Sequence, residues 1–422
     1  MQKCGFQAQF DHFVVRVKQP DLPVPEAATR EGARVHPDVV KLGVVSFLTD
    51  LSSEMIFSVF AVFFTTIAGA SSALLGLIEG LADFSASALN YFAGWLSDRT
   101  GKRKPFVLAG YAFSTVAKTL LLISNAVVAL SVFRVVERLG KGFRGPPRDA
   151  WLSTVGGQAR RGYAFGVHKA MDKAGAVLGP LVAYGLISWL GDTASTYQTL
   201  FWVAFVPAVV SVAFLALIPD RPGIVHPRET IGQNWRALSP GFKRFLIPAG
   251  TFALAYFSLG FILIRAHDLG FSMAQIVLLY ALFNTTCVIS APLAGLLGDR
   301  VGRSRVVVLG YALYGAISLG LVFATRQGEI IVALTFYGLF YAIEESQSKA
   351  FIVDLEPERR ASAMGVYNFV TGLLYLPASL IAGGLWSTAP GLVFGVAAGL
   401  SMAAIGLFVL LRPANPAVAG LR

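Results

Sequence analysis

Pairs of ionisable side chains recur inside the long apolar stretches of this 422-residue chain. In most pairs the two residues stand four positions apart, so both side chains share one face of a helix. If these stretches cross a bilayer, each charge costs roughly 3 kcal/mol to bury and is a candidate for binding or proton transfer. The candidates are Asp50 and Glu54, Asp83 beside Glu79, Arg134 and Arg138, His168 and Asp172, and Glu344 and Glu345.

Asp50 and Glu54 are the strongest candidates for proton chemistry. A helical rise of 1.5 Å per residue places them about 15 and 20 Å along their apolar stretch, near the middle of a bilayer. Two acids on one face of a low-dielectric site resist being ionised together, so we expect one of them to carry a proton. We expect a network in which Asp50, Glu54 and Asp172 face Arg134 and Arg138. The alternative is that these groups form only structural ion pairs.

Two further charges receive a structural interpretation. Glu79 lies nearer the outer end of its stretch, so we expect it to be solvated. Lys118 also lies near an outer end, so we expect its ammonium group to reach the bilayer surface. The second half of the chain offers mostly uncharged candidates for the other wall of a cavity: Tyr256, Asn284, Tyr337, Tyr341, Asn368 and Tyr375, beside Glu344.

The composition indicates a membrane protein. Hydrophobic residues make up 55% of the chain and charged residues 14%, with a mean hydropathy of +0.64, whereas soluble proteins carry about 25% charged residues. A bilayer is crossed by about 20 apolar residues, and the chain has room for a dozen such spans. The formal net charge of +11 lies in the loops between them, which indicates membrane topology rather than nucleic-acid binding.

Several classes of chemistry find no support in the sequence. It contains neither a Gly-x4-Gly-Lys-Ser/Thr phosphate-binding loop nor a zinc-type arrangement of Cys and His, and His168 alone does not predict a metal. Cys4 and Cys287 do not indicate a disulfide framework. Because no nucleophile constellation and no soluble domain are visible, we expect neither an enzyme nor a cofactor.

Twelve candidate spans fall into two groups of six. The prediction is an all-α membrane protein whose twelve transmembrane helices form two pseudo-symmetric six-helix bundles. The predicted parts are an N-terminal cytoplasmic tail (1–38), a first bundle (39–218), a cytoplasmic linker (219–242), a second bundle (243–411) and a C-terminal tail (412–422). The predicted spans are 39–68, 73–97, 104–123, 126–143, 162–188, 196–218, 243–266, 274–298, 304–325, 329–352, 361–386 and 390–411.

Loop charge predicts the orientation. Lys and Arg concentrate in every second loop, whereas the loops at 69–72, 124–125, 191–195 and 387–389 contain neither residue. Basic loops stay in the cytoplasm, so both termini are predicted to be cytoplasmic. The basic loop residues include Arg99, Lys102, Arg103, Lys104, Arg144, Arg148, Arg160, Arg161, Arg221, Arg228, Arg236, Arg300, Arg303, Arg305, Arg359 and Arg360.

A short polar element occurs once in each half, after the second and the eighth predicted span. Its pattern is Gly-x3-Asp-Arg-x-Gly followed by basic residues, which suits a tight helix–loop–helix reversal because glycine accepts positive φ. Its aspartate is favourable near the N-terminus of a helix. The two copies contain Gly94, Asp98, Arg99, Gly101, Lys102 and Arg103, and Gly295, Asp299, Arg300, Gly302 and Arg303.

With this repeated element, the chain resembles the major facilitator superfamily of transporters over roughly residues 39–411. The resemblance implies two bundles that rock about a central site, which gives alternating access to the two sides of the membrane. It also implies that the two loops are cytoplasmic gates. Asp98 would face the start of helix 11, near Ala361 to Met364, and Asp299 would face the start of helix 5.

A second motif, in helix 5, resembles that of the drug/proton antiporters of the same superfamily. Its glycines allow close helix packing, and its proline removes a backbone hydrogen bond. The glycine pair that usually follows is replaced here by Ala183-Tyr184, a departure from the pattern. Arg134 stands where family members carry a helix 4 arginine linked to proton coupling. The helix 5 residues are Gly166, Gly175, Gly179 and Pro180.

We therefore expect a monomeric secondary transporter of the plasma (inner) membrane that uses protons to drive efflux of a small organic or amphipathic compound. The alternatives are proton-coupled uptake of a metabolite, organic anion or siderophore, and a non-transporting membrane sensor. Buried arginines favour an anionic substrate, whereas Asp50 and Glu54 favour a cation, and the sequence leaves the two open.

The loop charges generate a topology prediction. Alkaline phosphatase fused after Gly101 should be inactive, because that loop is expected in the cytoplasm, whereas a fusion after Ser71 should be active. Phosphatase activity in whole cells, normalised to the amount of fusion protein, measures the difference. The reverse pattern would contradict the predicted orientation of both gate loops.

Overall fold

A computed structural model describes residues 36–155, 157–220, 235–357 and 359–413, with the backbone alone at 157–163, 360 and 361. These residues form helices and short connections, and no β-strand occurs among them. Most of the predicted tails and linker falls outside the described residues, so the domain boundaries stay a prediction.

The first six helices lie close to the predicted spans. Their N-termini are capped where the sequence supplies a hydroxyl: Ser71 accepts a hydrogen bond from the Leu74 amide, and Thr193 from the Thr196 amide. The helices are α1 (Pro37–Val62, continued by a π turn at Phe63–Ile67), α2 (Ser72–Thr100), α3 (Lys104–Ile123), α4 (Val127–Val155), α5 (Gly157–Leu190) and α6 (Ala194–Leu217).

The second six helices include two that are interrupted. Ser239 caps the helix that begins at Pro240, and Ser272 forms a capping box with Gln275 at the start of the helix that begins at Met273. The helices are α7a (Pro240–Ala255) and α7b (Gly260–Asp268), α8 (Met273–Val301), α9 (Arg303–Val322), α10a (Gln327–Ile343), a π turn (Glu344–Ser348) and α10b (Lys349–Leu355), α11 (Arg360–Trp386) and α12 (Pro390–Leu411).

Ten helical segments within the described residues are long and apolar enough to cross a bilayer, with α7a and α7b counted as one span. The other two predicted spans are α4, which carries many charges, and the interrupted α10. Large apolar side chains point away from the protein along the helices, among them Trp189 (83% exposed) and Phe323 (73% exposed), as expected for surfaces that contact lipid. The predicted all-α membrane fold with twelve helices is confirmed.

Two helices extend at least five residues beyond a predicted end. The expected end of α4 at 143 was wrong: the helix continues to Val155 through Pro146 and Pro147. Pro146 and Pro147 lack the N–H groups that would bond to the carbonyls of Gly142 and Phe143, and the helix continues for about two turns beyond them nevertheless. Helix α5 begins at Gly157 rather than at 162.

The repeated loops turn as the glycine pattern predicts. Gly101 has φ of 68° and Gly302 has φ of 101°, values that side-chain-bearing residues rarely adopt. These loops mark one end of the molecule, which we call the basic face. The loops at Gly69 and Gly191 mark the opposite end, which we call the bare face.

The two halves meet most closely along α2 and α11. Gly76 on α2 packs against the backbone at Ser379 and Gly383, and Gly383 packs in turn against Ser72 and Ala73. Neither glycine leaves room for a Cβ atom, so the helix backbones touch. This contact lies near the bare face and holds that end of the molecule closed.

The contact predicts different effects of valine at two neighbouring glycines. Gly383→Val should lower the melting temperature of the purified protein, because a side chain there meets α2 and overpacking costs about 1–3 kcal/mol. Gly384→Val is the matched control, since its Cβ would enter open space. Equal melting temperatures for the two variants in the same detergent would contradict the observed packing.

Candidate functional site

A cavity of about 500 Å³ lies between the two halves. Toward the bare face it ends at Phe60, Ala61 and Leu263, which are at most 5% exposed. At its other end the side chains of Asp149 and Lys349 are half-exposed. The cavity therefore opens toward the basic face.

The two walls of the cavity differ in chemistry. The first half supplies almost all of its ionisable groups, from α1, α2, α4 and α5, whereas the second half supplies a mostly aromatic wall with Glu345 and Lys349 as its charges. Four residues that the sequence predicted in this wall line the cavity: Tyr256, Asn284, Tyr337 and Tyr341. The structure adds Tyr280 and Phe283. Asn368 and Tyr375, also expected in this wall, do not line it.

Glu79 and Arg134 form the most closely bonded ion pair in the cavity. Arg134 Nε and Nη2 donate to the two carboxylate oxygens of Glu79 at 2.6 and 2.7 Å, and both side chains are more than 90% buried. The guanidinium also lies 4.3 Å from the centre of the Phe57 ring. Glu79 was expected to be solvated, which is wrong, because a buried arginine requires a buried counter-charge.

A second pair lies one helical turn away. Arg138 Nε stands 3.7 Å from Asp83, with both side chains about a quarter exposed. Glu79 and Asp83 are four residues apart on α2, as Arg134 and Arg138 are on α4, so the two acids meet the two bases in register. The predicted pairing of Arg134 and Arg138 with Asp50, Glu54 and Asp172 is therefore wrong.

Asp50 and Glu54 line the cavity without an ion-pair partner among the described residues. Glu54 accepts a hydrogen bond of 2.5 Å from the Tyr280 hydroxyl in the opposite half. Every other acid that lines the cavity has a cation within 4 Å: Glu79, Asp83, Asp149, Asp172 and Glu345. Among the described acids of the cavity, these are therefore the two carboxylates that no nearby cation neutralises.

Lys118 positions the segment of α1 that carries these acids. It is 1% exposed and donates to Ser52 at 2.6 Å and to Ser53 at 3.1 Å, between Asp50 and Glu54 in sequence. The expectation that Lys118 reaches the bilayer surface is wrong, because two α1 hydroxyls satisfy the ammonium group inside the first half. A buried lysine signals such partners, although sequence alone does not say which ones.

Asp172 and Glu345 bring lysines to the mouth of the cavity. Asp172 accepts from Ser46 at 2.5 Å and lies 3.6 Å from Lys169. Glu345 lies 3.2 Å from Lys169 of the opposite half, 3.9 Å from Lys173 and 3.7 Å from Lys349. The sequence predicted both acids as cavity residues but did not identify the three lysines as their partners.

Two predicted cavity residues lie elsewhere. His168 is 3% exposed and does not line the cavity, which α5 faces with Lys169, Asp172, Lys173 and Ala176 instead. Glu344 also lies outside the lining and accepts a hydrogen bond of 2.9 Å from Tyr367 of α11. A π turn begins at Glu344, and of the two adjacent acids it leaves only Glu345 in the cavity.

The helix 5 glycines play different parts. Gly175 packs against the α1 backbone at Phe47 and Leu51, and Gly179 packs against Leu51 and Met55 one turn later. This close contact fixes the register between α5, with its lysines and Asp172, and α1, with its two acids. Gly166 is exposed with open space around it, so the expected packing role is wrong there, and Pro180 lies inside a helix that continues to Leu190.

The gate loops hold their aspartates close to their own basic residues. Arg103 donates to Asp98 at 2.6 Å and to Ser97 at 2.9 Å. In the second copy, Arg303 donates to Asp354 of α10b at 2.6 Å and to Asp299 at 3.4 Å. The side chains at the start of α5 and at Ala361 fall outside the described atoms, so the predicted latch contacts stay a prediction. The remaining loop positions are Gly94, which is buried, Gly295, and the exposed Arg99, Lys102 and Arg300.

Comparison with known proteins gives a family match over nearly the whole described chain. The model of the Major Facilitator Superfamily matches residues 42–265 and 249–421. An uncharacterized MFS-type transporter of Methanocaldococcus jannaschii is 34% identical over 364 residues, which cover 85% of this chain and 90% of that protein.

Two further similarities are more distant. A multidrug resistance protein B homolog of Mycobacterium tuberculosis is 29% identical over 245 residues, which cover 54% of this chain and 43% of that protein. The crystal structure of the nucleoside transporter NupG has a TM-score of 0.73 and 11% identity, with 88% of this chain and 98% of that chain covered. At that identity the structural similarity concerns the fold alone.

The Glu79–Arg134 pair generates a stability prediction. Glu79→Gln should lower the yield of monodisperse protein and its melting temperature, because removing one partner of a buried pair costs about 3–5 kcal/mol. Asp83→Asn, at the longer and more exposed pair, is the matched control and should cost less. If both variants melt alike, the bidentate pair does not dominate the stability of the first half.

Proposed function

Because the chain belongs to the major facilitator superfamily of transporters, we propose that it exports a small organic or amphipathic compound in exchange for protons. The exchange proceeds by alternating access in a monomer of the plasma (inner) membrane. The concentration of Lys and Arg in the loops of one end supports a cytoplasmic basic face, with both termini on that side. In this orientation the cavity is open to the cytoplasm.

The observation that carries the proposal is the pair of cavity acids, Asp50 and Glu54, which have no cation within 4 Å among the described residues. They lie one helical turn apart on α1, about 6 Å along the axis. Two carboxylates at that spacing repel each other when both are ionised, so the pair favours the state in which one carries a proton. Such a pair is suited to take up a proton on one side of the membrane and release it on the other.

The contact of Glu54 with the opposite half supports a link between protonation and conformation. The Tyr280 hydroxyl donates to Glu54, and the Ser258 hydroxyl donates to Glu79 at 3.0 Å. Both bonds join the halves within the cavity lining, and Ser258 stands in the break between α7a and α7b. Breaks of this kind place irregular backbone where it lines a cavity in other transporters. Opening the bare face requires both bonds to break.

The proposed energy source is sufficient for export. One charge that crosses 100 mV gains about 2.3 kcal/mol, which corresponds to a concentration ratio near fifty for one proton per substrate. The name of the Mycobacterium tuberculosis relative, a multidrug resistance protein, agrees with export. In the gate, the exposed Asp299 (67%) agrees with a latch that is released while the basic face is open.

Uptake of an organic anion is the second candidate, because three lysines surround Glu345 at the cavity mouth. The direction of movement separates the two functions. Proteoliposomes with an imposed pH gradient distinguish export, where substrate and proton move in opposite directions, from uptake, where they move together. Absence of gradient-dependent movement of any bound compound would favour a membrane sensor.

Substitution of the two acids tests proton coupling. Asp50→Asn or Glu54→Gln should abolish transport driven by a pH gradient, while exchange of substrate without a gradient survives in at least one of them. Asp268→Asn, an exposed acid outside the cavity, is the control and should keep both activities. Both activities are measured in proteoliposomes and normalised to folded protein. Full gradient-driven accumulation in the Asp50→Asn/Glu54→Gln double variant would contradict the assignment.

A further inference from the structure

The charges of the cavity are paired unevenly, and the unpaired ones are separated by sign. Arg134 and Arg138 are paired with Glu79 and Asp83, so these two arginines do not require an anionic substrate. The unpaired negative charge lies deep in the cavity, at Asp50 and Glu54. The surplus positive charge lies toward the mouth.

Three lysines create that surplus around a single carboxylate. Lys169, Lys173 and Lys349 all stand within 4 Å of Glu345. Asp172 beside Lys169 compensates one more charge, which leaves one ammonium group of the three without a counter-charge. Lys141 and Arg144 line the cavity as well, with no carboxylate within 4 Å among the described residues. At longer range Lys141 attracts both Asp50 and Asp172, so its charge is shared between the two regions and is not counted in the surplus at the mouth.

The helix packing sets the distance between the two regions. Ser46 donates to Asp172, which adjoins Lys173 in sequence, so the lysines stand at the level of Ser46. Asp50 and Glu54 follow Ser46 by four and eight residues on α1. At 1.5 Å per residue they lie about 6 and 12 Å deeper in the cavity.

The region between the two charges is aromatic. Tyr280 bonds to Glu54, Tyr341 lies beside Lys173, and the Phe283 ring packs against both tyrosines. Such rings favour a flat apolar body and stabilise a neighbouring ammonium group through their faces. Lys173 itself lies 5.8 Å from the centre of the Tyr341 ring.

On the basis of the proposed function, we propose that the substrate is zwitterionic: an aromatic organic molecule with an ammonium group and an anionic group about 6–12 Å apart along its length. The ammonium group binds at Asp50 and Glu54, and the anionic group, a carboxylate or a phosphate, binds between the three lysines in place of Glu345. Lys169 and Lys173 belong to the first half and Lys349 to the second, so the anion is held by both halves. Its binding therefore favours closure of the basic face around the substrate.

Three matched ring compounds test the proposal by thermal shift and competition binding with the purified full chain. The zwitterion is para-(aminomethyl)phenylpropanoate, its amine-only match is para-propylbenzylamine, and its acid-only match is para-methylphenylpropanoate. A second set repeats the three compounds on a two-ring scaffold. A third set carries a phosphonate in place of the carboxylate. A zwitterion should bind about tenfold or more tightly than either match, since a bond to a charged group contributes at least that factor. The proposal is wrong if no zwitterion exceeds both its matches. The carboxylate and phosphonate sets identify the anionic group.

Variants of the lysine cluster give the second readout. Lys173→Gln and Lys349→Gln should each reduce the affinity for the zwitterion toward that for the amine-only compound and leave the affinity for the amine-only compound unchanged. Lys173→Arg keeps the positive charge and should retain the affinity for the zwitterion. Glu345→Gln should strengthen binding of the acid-only compound, a gain that a misfolded protein cannot show. Lys243→Gln, at a lysine outside the cavity, is the control. An unchanged zwitterion preference in both glutamine variants would overturn the assignment of the lysines.

Transport of the same compounds separates this proposal from the proposed function. If the zwitterion binds best but no pH gradient drives its movement in proteoliposomes, the substrate class stands and proton-coupled export fails. If a gradient drives export of the amine-only compound as well as that of the zwitterion, export stands and the substrate class fails.

Discussion

The bidentate contact between Glu79 and Arg134 is the interaction on which the rest of the site depends. A guanidinium group inside a membrane protein requires a counter-charge with good geometry, because burial without one is costly. Glu79 supplies it from α2, and the Ser258 hydroxyl of the opposite half completes the coordination of the carboxylate. With Arg134 satisfied in this way, Asp50 and Glu54 on α1 remain free to serve the cavity.

The two halves of the protein are held together by different kinds of interaction. The first half is bound together by ion pairs that cross between α2 and α4, and by Lys118, which joins α3 to α1. The second half packs through aromatic rings: Phe252 stacks on Tyr311 with ring centres 4.0 Å apart. One wall of the cavity therefore carries most of the charged groups, and the other carries mainly aromatic rings and hydroxyls, with Glu345 and Lys349 as its charges.

The twelve helices and the turns of the repeated loops could be predicted from the sequence. The length of the apolar stretches, the loop charges and the Gly-x3-Asp-Arg-x-Gly element are each visible within a short segment of chain. The spacing of Glu79 and Asp83 matches that of Arg134 and Arg138, and this match was the available signal for their pairing. Position along the helix predicted solvent exposure for Glu79 and Lys118, which is wrong, because depth in a bilayer does not reveal a partner on another helix. The π turn at Glu344 has no sequence signature, so which of two adjacent acids enters the cavity required the structure.

The charges of α4 must also be neutralised while the protein is inserted into the membrane. Helix α4 is not among the segments apolar enough to cross a bilayer on composition alone, since it carries Arg134, Glu137, Arg138 and Lys141 in two turns. A ribosome releases α2 before α4, so Glu79 and Asp83 are already in the membrane when the arginines arrive. The insertion machinery then faces a neutralised helix pair instead of an isolated cationic segment. The order of synthesis thus lowers the barrier to integrating the most polar helix of the protein.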